Sequence, residues 1–132
     1  MANTPEDLSY TKDHEWVRPL GNGRVQVGIT DHAQRQLGDI VFVELPKVKD
    51  RFEISEPFGT VESVKAVTEV YAPLGGTVTA VNTELGDEAE LVNTDPYGEG
   101  WMIEVEVADK KHLAELLSAA EYEDYIKAEA AE

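Results

Sequence analysis

Strand signals dominate the first hundred residues of this chain, and beyond residue 109 the apolar positions recur at helical spacing. In Arg24-Val25-Gln26-Val27-Gly28-Ile29, the apolar Val25, Val27 and Ile29 fall on one face of a strand. Gly21-Asn22-Gly23 is turn chemistry, and the stretch 14–18 before it carries the pair Trp16-Val17, so an antiparallel hairpin is predicted. Thr30 or Asp31 can cap a short helix over about 31–37, with Gln34 placed to reach back in a capping box and Gly38 as a left-handed stop. Ile40-Val41-Phe42-Val43-Glu44-Leu45 is apolar on both faces, which predicts a strand covered on both sides and ended by Pro46. Further strands are predicted over 52–55, 58–64, 66–71 and 77–81, followed by a loop over 82–87. Trp101, Ile103, Val105 and Val107 alternate with Met102, Glu104 and Glu106, the pattern of a half-buried strand.

The register changes at Asp109, a good N-cap. Leu113, Leu116, Leu117 and Ala120 then predict a helix over about 110–118, and Tyr122, Tyr125 and Ile126 a second over about 121–128. The last residues, 129–132, are expected to fray. Short strands, Gly/Pro turns and appended helices together predict a mainly β protein, a β-sandwich or flattened barrel forming one domain over 1–132.

Composition narrows the function. The 132 residues contain no cysteine, so protein-thiol redox chemistry and thiolate metal sites are excluded. Any sulfur chemistry must arrive on a cofactor. Acidic residues outnumber basic ones 27 to 11, and the net charge of -16 opposes binding to nucleic acid or to an anionic membrane surface. It favours a monomer that meets partners transiently through their basic surfaces. The start, Met1-Ala2-Asn3-Thr4-Pro5-Glu6-Asp7, has neither the basic and apolar regions of a secretory signal nor the Arg-rich look of a transit peptide, and no apolar run is long enough to span a bilayer. A cytoplasmic bacterial protein is the simplest expectation; a mature mitochondrial protein would read the same way.

The candidate chemistry lies at Lys65. It sits within Gly59-Thr60-Val61-Glu62-Ser63-Val64-Lys65-Ala66-Val67-Thr68-Glu69-Val70-Tyr71, between two arms rich in β-branched and small residues. Pro73-Leu74-Gly75-Gly76 closes the second arm with a turn, eleven residues from Lys65 to Gly76. A lysine at the apex of such a hairpin points into water. Taken alone it reads as a solvated surface lysine.

The spacing resembles the lipoyl and biotinyl carrier modules, in which a modified lysine occupies a tight turn between two strands and a Pro-x-x-Gly turn follows. Biotin carriers usually flank the lysine with methionines, and Val64 and Ala66 stand there instead, which disfavours biotin. The string Glu62-Ser63-Val64-Lys65-Ala66, with Tyr71-Ala72-Pro73, resembles the glycine cleavage H proteins specifically. So do Tyr10-Thr11-Lys12-Asp13-His14-Glu15-Trp16-Val17, Val27-Gly28-Ile29-Thr30-Asp31-His32-Ala33-Gln34, the stretch 37–46, Leu91-Val92-Asn93-Thr94-Asp95-Pro96-Tyr97-Gly98 and Gly100-Trp101-Met102-Ile103. In family order these strings cover most of residues 10–107.

The resemblance implies a fold of the barrel-sandwich hybrid type, with a lipoyl hairpin over about 58–72 and a C-terminal helical extension over about 109–128. It implies lipoic acid in amide linkage on Lys65, in the context of Glu62, Ser63, Val64 and Ala66. It also implies a non-catalytic carrier with four partners: a pyridoxal-phosphate glycine decarboxylase, a tetrahydrofolate-dependent aminomethyltransferase, dihydrolipoyl dehydrogenase, and a lipoyl ligase or transferase. An alternative within carriers is an H-like relay that donates lipoate to other lipoyl domains. The cationic aminomethyl cargo would need an anion in a water-poor cleft, because desolvating an unpaired cation costs several kcal/mol. The resemblance suggests Glu15 as that group; read alone, Glu15 could equally be a strand residue facing water. Glu62 has two readings as well, recognition by the lipoylating enzyme or solubility of the hairpin. His14 and His32 read as structural or exposed, and no metal-ligand set is assigned. The chain departs from the family in Lys47-Val48-Lys49-Asp50, where a lysine stands at a common glycine position, and at Glu104, where a basic residue is common. These departures put the turn near residue 49 and details of the docking surface in question.

Overall fold

The computed structural model describes residues 4–130, and Ala131 and Glu132, expected to fray, lie outside them. Two antiparallel sheets carry the strands. The larger runs in the order β1 (Ser9–Tyr10), β2 (Glu15–Gly21), β3 (Arg24–Ile29), β9 (Ile103–Val107), β8 (Gly76–Val81) and β5 (Arg51–Phe52). The smaller has β6 (Pro57–Ser63) between β4 (Ile40–Glu44) and β7 (Val67–Tyr71). Alternate residues from both sheets form one apolar core, with Val25, Val27, Val78, Ile103 and Val105 from the larger and Val43, Phe58, Val61 and Val70 from the smaller. The predicted hairpin over β2 and β3 forms in register, pairing Val17 with Val27.

The expectation for β4 fails on one face. Ile40 and Val43 are buried, but Val41 and Phe42 are exposed, at 57% and 48%. The outer face of the three-stranded sheet is open, and a register shift between Ile40 and Phe42 turns two adjacent apolar side chains outward. At the other end of the chain Met102, read as facing solvent, is fully buried in the core. The strand predicted over 52–55 contracts to Arg51–Phe52, because Ser55 takes a positive φ of 70° in the turn that follows. The loop over 82–87 holds a 3-10 turn, Thr83–Gly86, capped by Asn82.

A helix α1 (Asp31–Leu37) has Thr30 as its N-cap, whose hydroxyl accepts from the Ala33 amide. Gln34 does not close a capping box with Thr30; its amide donates to Asp31 Oδ1 at 2.8 Å. Gly38 ends the helix with φ of 83°, but its ψ of -159° is extended rather than left-handed helical. A short α2 (Leu91–Thr94) follows the 3-10 turn.

The predicted helix over 110–118 is instead a 3-10 segment, Lys110–Glu115. It ends because Leu117 exchanges two backbone hydrogen bonds with Tyr10, each 2.8 Å, which requires extended backbone there. The second predicted helix is longer than expected, α3 (Ala119–Ala130). Its start is a capping box, Ser118 Oγ accepting from the Glu121 amide and Glu121 Oε1 from the Ser118 amide. Residues 129 and 130, expected to fray, belong to this helix.

A second apolar cluster seats α3 on β1 and β2, formed by Leu8, Tyr10, Trp16, Tyr97, Ala119, Tyr122 and Ile126. The Tyr10 and Tyr122 rings stack 4.7 Å apart, and Trp16 Nε1 donates to the Pro96 carbonyl at 2.9 Å. Gly28 lies under this cluster: a Cβ there would meet the fully buried Trp16 ring at 2.7 Å. Gly28→Ala is therefore expected to lower unfolding stability by about 1–3 kcal/mol, measured by urea denaturation, because the indole has no room to retreat.

The turn near residue 49 forms despite its lysine. Lys49 takes φ of 83°, its amide donates to the Val78 carbonyl at 2.8 Å, and Asp50 closes back on Lys47. A side chain at positive φ costs about 1–2 kcal/mol, partly offset by the greater chain entropy that glycine loses on folding. Lys49→Gly is expected to raise stability by up to about 1 kcal/mol in the same assay, and a fall would show that the lysine is not strained.

Candidate functional site

The tip of the β6–β7 hairpin is built around Ser63. Its hydroxyl accepts from the amides of Lys65 and Ala66, both at 3.1 Å, and the Ser63 amide donates to the Ala66 carbonyl at 2.8 Å. Short side chains with a hydroxyl can satisfy a tight turn in this way. The Val64 amide donates to the Asp39 carbonyl at 3.0 Å, which ties the tip to the loop after α1. Lys65 is exposed at this tip, as are Glu62, Val64 and Ala66, whereas Ser63 is buried. Val64 and Val67 stand at 68% and 65% exposure on either side of the lysine.

The lysine does not simply point into water. Its Nζ donates to the Gln36 carbonyl at 2.9 Å, in the last turn of α1. The last four carbonyls of a helix lack intrahelical partners and carry the negative end of its dipole, so a cation is well placed there. Gly38 permits the approach, since a Cβ at that position would lie 3.2 Å from Lys65 Cε.

Gln36 also walls a cleft of about 120 Å³ between α1 and the two sheets. Its other walls are Asp13, His14, Glu15, Ile29, Ala33, Leu37, Val61, Thr68, Glu69 and Val70. Lys65 and Glu15 are thus brought to one locality, the first ending on a residue of the wall and the second forming part of it. Glu15 is 2% exposed, so the reading of it as a water-facing strand residue does not hold. Its Oε1 accepts from Thr11 Oγ1 at 2.7 Å and its Oε2 from the Tyr71 amide at 3.2 Å. Burial pushes the carboxyl up to about 7, with Asp13 adding to the rise and the Thr11 and Tyr71 hydrogen bonds opposing it. At neutral pH the cleft therefore holds a carboxyl poised between its acid and its anion, which an incoming cation would convert to carboxylate.

The sequence reading missed Gln36, Thr68 and Glu69 as neighbours of the site. Gln36 contributes a backbone carbonyl, which no side-chain pattern marks, and its meeting with Lys65 joins positions far apart in the sequence. Glu62 takes part in none of these contacts among the described residues.

Residues 8–129 match the family model described as glycine cleavage H-protein. The chain belongs to the glycine cleavage H-protein family. It is 62% identical to the glycine cleavage system H protein of Herpetosiphon aurantiacus over 130 residues, covering 98% of both chains. It is 54% identical to that of Halalkalibacterium halodurans over 129 residues, covering 98% of this chain and 100% of the relative. The fold matches a crystal structure of a glycine cleavage system H protein from Mycobacterium marinum, with a TM-score of 0.78 and 43% identity over 89% of this chain and 94% of that one. The family's barrel-sandwich architecture thus holds here, with α3 added on its flank. No helix of the described residues is long and apolar enough to cross a membrane.

Proposed function

We propose that Lys65 carries lipoic acid in amide linkage and that the chain shuttles an aminomethyl group in glycine cleavage without catalysing turnover itself. The observation that supports this most is the pairing of an exposed hairpin lysine with a cleft whose wall buries Glu15. The lysine fits the group: its amine is accessible to a ligase or transferase, and the tight Ser63 turn presents it at a fixed point. Acylation removes the ammonium charge, which weakens the hold of the Gln36 carbonyl and frees the arm to swing. A bound lipoyl group would supply a dithiolane that opens to take up the cargo and is later reoxidised. Tethering makes each transfer intramolecular once a partner docks, at effective concentrations of about millimolar or more.

The chain's own residues act on the cargo through the cleft. Glu15 offers an anion to a cationic amine, and the apolar Ile29, Leu37, Val61 and Val70 exclude water around it. The partners that fit are the pyridoxal-phosphate glycine decarboxylase, the tetrahydrofolate-dependent aminomethyltransferase and dihydrolipoyl dehydrogenase. Val41, Phe42, Val64 and Val67 are exposed apolar side chains beside the lysine hairpin, on a chain otherwise rich in charge, and they give these enzymes and the lipoylating enzyme a surface to dock on. Such a carrier works as a monomer in the cytoplasm.

A reconstituted glycine decarboxylation assay with the three enzymes tests the reading. The lipoylated chain is expected to be required for turnover of glycine. Donation of the lipoyl group to other lipoyl domains without support of glycine turnover would assign a relay role instead.

A further inference from the structure

Three side chains from distant parts of the sequence converge beside the cleft. His14 lies in the turn before β2, His32 in the first turn of α1, and Glu129 in the last turn of α3. One ligating atom of each lies within 4.8 Å of the other two. His14 Nε2 is 3.4 Å from Glu129 Oε1, and the two imidazole rings stand 4.8 Å apart. His32 Nε2 is buried and has no hydrogen-bond partner among the described residues. Buried polar atoms are nearly always paired, so an orphaned ring nitrogen on one of three clustered ligand-type residues asks for a ligand.

The surroundings orient these groups as ligands. His14 Nδ1 is 2.7 Å from Tyr122 Oη, which is itself 2.8 Å from Thr30 Oγ1. With the Nδ1 proton donated to Tyr122 and the tyrosine proton to Thr30, the Nε2 lone pair is left facing Glu129. A metal-bound imidazole is commonly held in this way, its second nitrogen fixed by a hydrogen bond. Glu129 Oε2 accepts from Tyr125 Oη at 3.0 Å, which leaves Oε1 toward the histidines. In that tautomer the His14 Nε2 lone pair and the Glu129 carboxylate face each other with no proton between them, an arrangement that a cation relieves. The net charge of -16 attracts cations to the surface at large.

We propose that His14, His32 and Glu129 bind a divalent transition-metal ion of the zinc class, with water completing the coordination. Imidazole and carboxylate suit such ions, and three protein ligands leave one tetrahedral position open. A tetrahedron with metal–nitrogen distances of about 2.0–2.1 Å has edges of roughly 3.3 Å. The His14–Glu129 edge is already 3.4 Å, and the edges to His32, no longer than 4.8 Å, would close as the ion binds, the 41% exposed Glu129 side chain following on the surface of α3. The ion would pin the end of α3 to α1 and to the turn that leads into Glu15 at the start of β2. The site is therefore a clamp on the C-terminal helix, and it does not depend on whether Lys65 is acylated.

The test uses the untagged full chain, unlipoylated, titrated with zinc against a competing chelator dye at pH 7.5. One ion per chain is expected, with binding weakened tenfold or more by Glu129→Gln and by His32→Gln, and unchanged by His112→Ala. His112 makes a suitable control because it faces Asp109 rather than this cluster. In the wild-type chain, which needs no substitution to be read, the ring protons of His14 and His32 should shift together on zinc addition while those of His112 stay in place. Absence of stoichiometric binding, or wild-type binding that moves only His112, would overturn the proposal.

Discussion

Lys65→Arg is expected to reduce glycine turnover in the reconstituted system to the level seen without the carrier, while leaving the fold intact. Arginine keeps the positive charge and can still donate to the Gln36 carbonyl, so the contact between hairpin and α1 survives. Its guanidinium stays protonated and offers no free amine to acylate, so lipoate cannot be attached. Because Lys65 is exposed, unfolding stability should change by no more than about 0.5 kcal/mol. The combination of intact stability with lost turnover separates a modification site from a structural lysine. Turnover close to wild type would refute the role given to this residue.

Glu15→Gln carries the second large effect, and it is read through pH. The Glu15 carboxyl titrates at about 7 in the folded chain, raised from its ordinary 4.5 chiefly by burial. Between those values the folded protein holds a proton that the unfolded chain has released. The stability contributed by this group is therefore fully present below about 4.5 and is lost as pH rises through about 7. The full loss is about 3 kcal/mol. Glutamine has no such titration, and its amide can serve both neighbours, the oxygen accepting from Tyr71 and the nitrogen donating to Thr11. Urea unfolding across pH 4–8 should show wild type losing stability relative to Glu15→Gln by about 3 kcal/mol as pH rises. Asp13, His14 and Tyr122 also face this region, but both proteins share them, so only their interaction with Glu15 enters the difference. A difference that stays flat with pH would show that Glu15 is not held protonated by burial.

The same carboxyl links stability to the carrier role. On the proposed function a cationic cargo would need the carboxylate, which the buried site alone disfavours, so part of its binding energy would go into ionising Glu15. Glu15→Ala should leave lipoylation intact and shorten the lifetime of the cargo-loaded form.

The lysine hairpin was legible in the sequence because its determinants are local: β-branched arms, a serine two residues before the lysine, and Pro73 with its glycines. The β2–β3 hairpin was legible for the same reason. The β4 strand misled because its run of apolar residues says nothing about which face a second layer covers, and here Val41 and Phe42 are left outside. Leu113 to Leu117 misled because helical spacing was overridden by a backbone pair between Leu117 and Tyr10, more than a hundred residues apart. The capping box Ser118-x-x-Glu121 was written in the chain and overlooked, and it marks the start of α3 better than the leucines do. The burial of Glu15 depends on packing that joins β2 to the backbone of Tyr71, so composition alone left its environment open. The meeting of His14 with Glu129 arises from the docking of α3, which no local pattern encodes.

The carrier role rests most directly on the chemical state of one amine. Intact-mass measurement and peptide mapping of the chain purified from a lipoate-replete host should find one lipoyl group, on the peptide that contains Lys65. A chain recovered unmodified under those conditions, or carrying its lipoyl group on a different lysine, would contradict it.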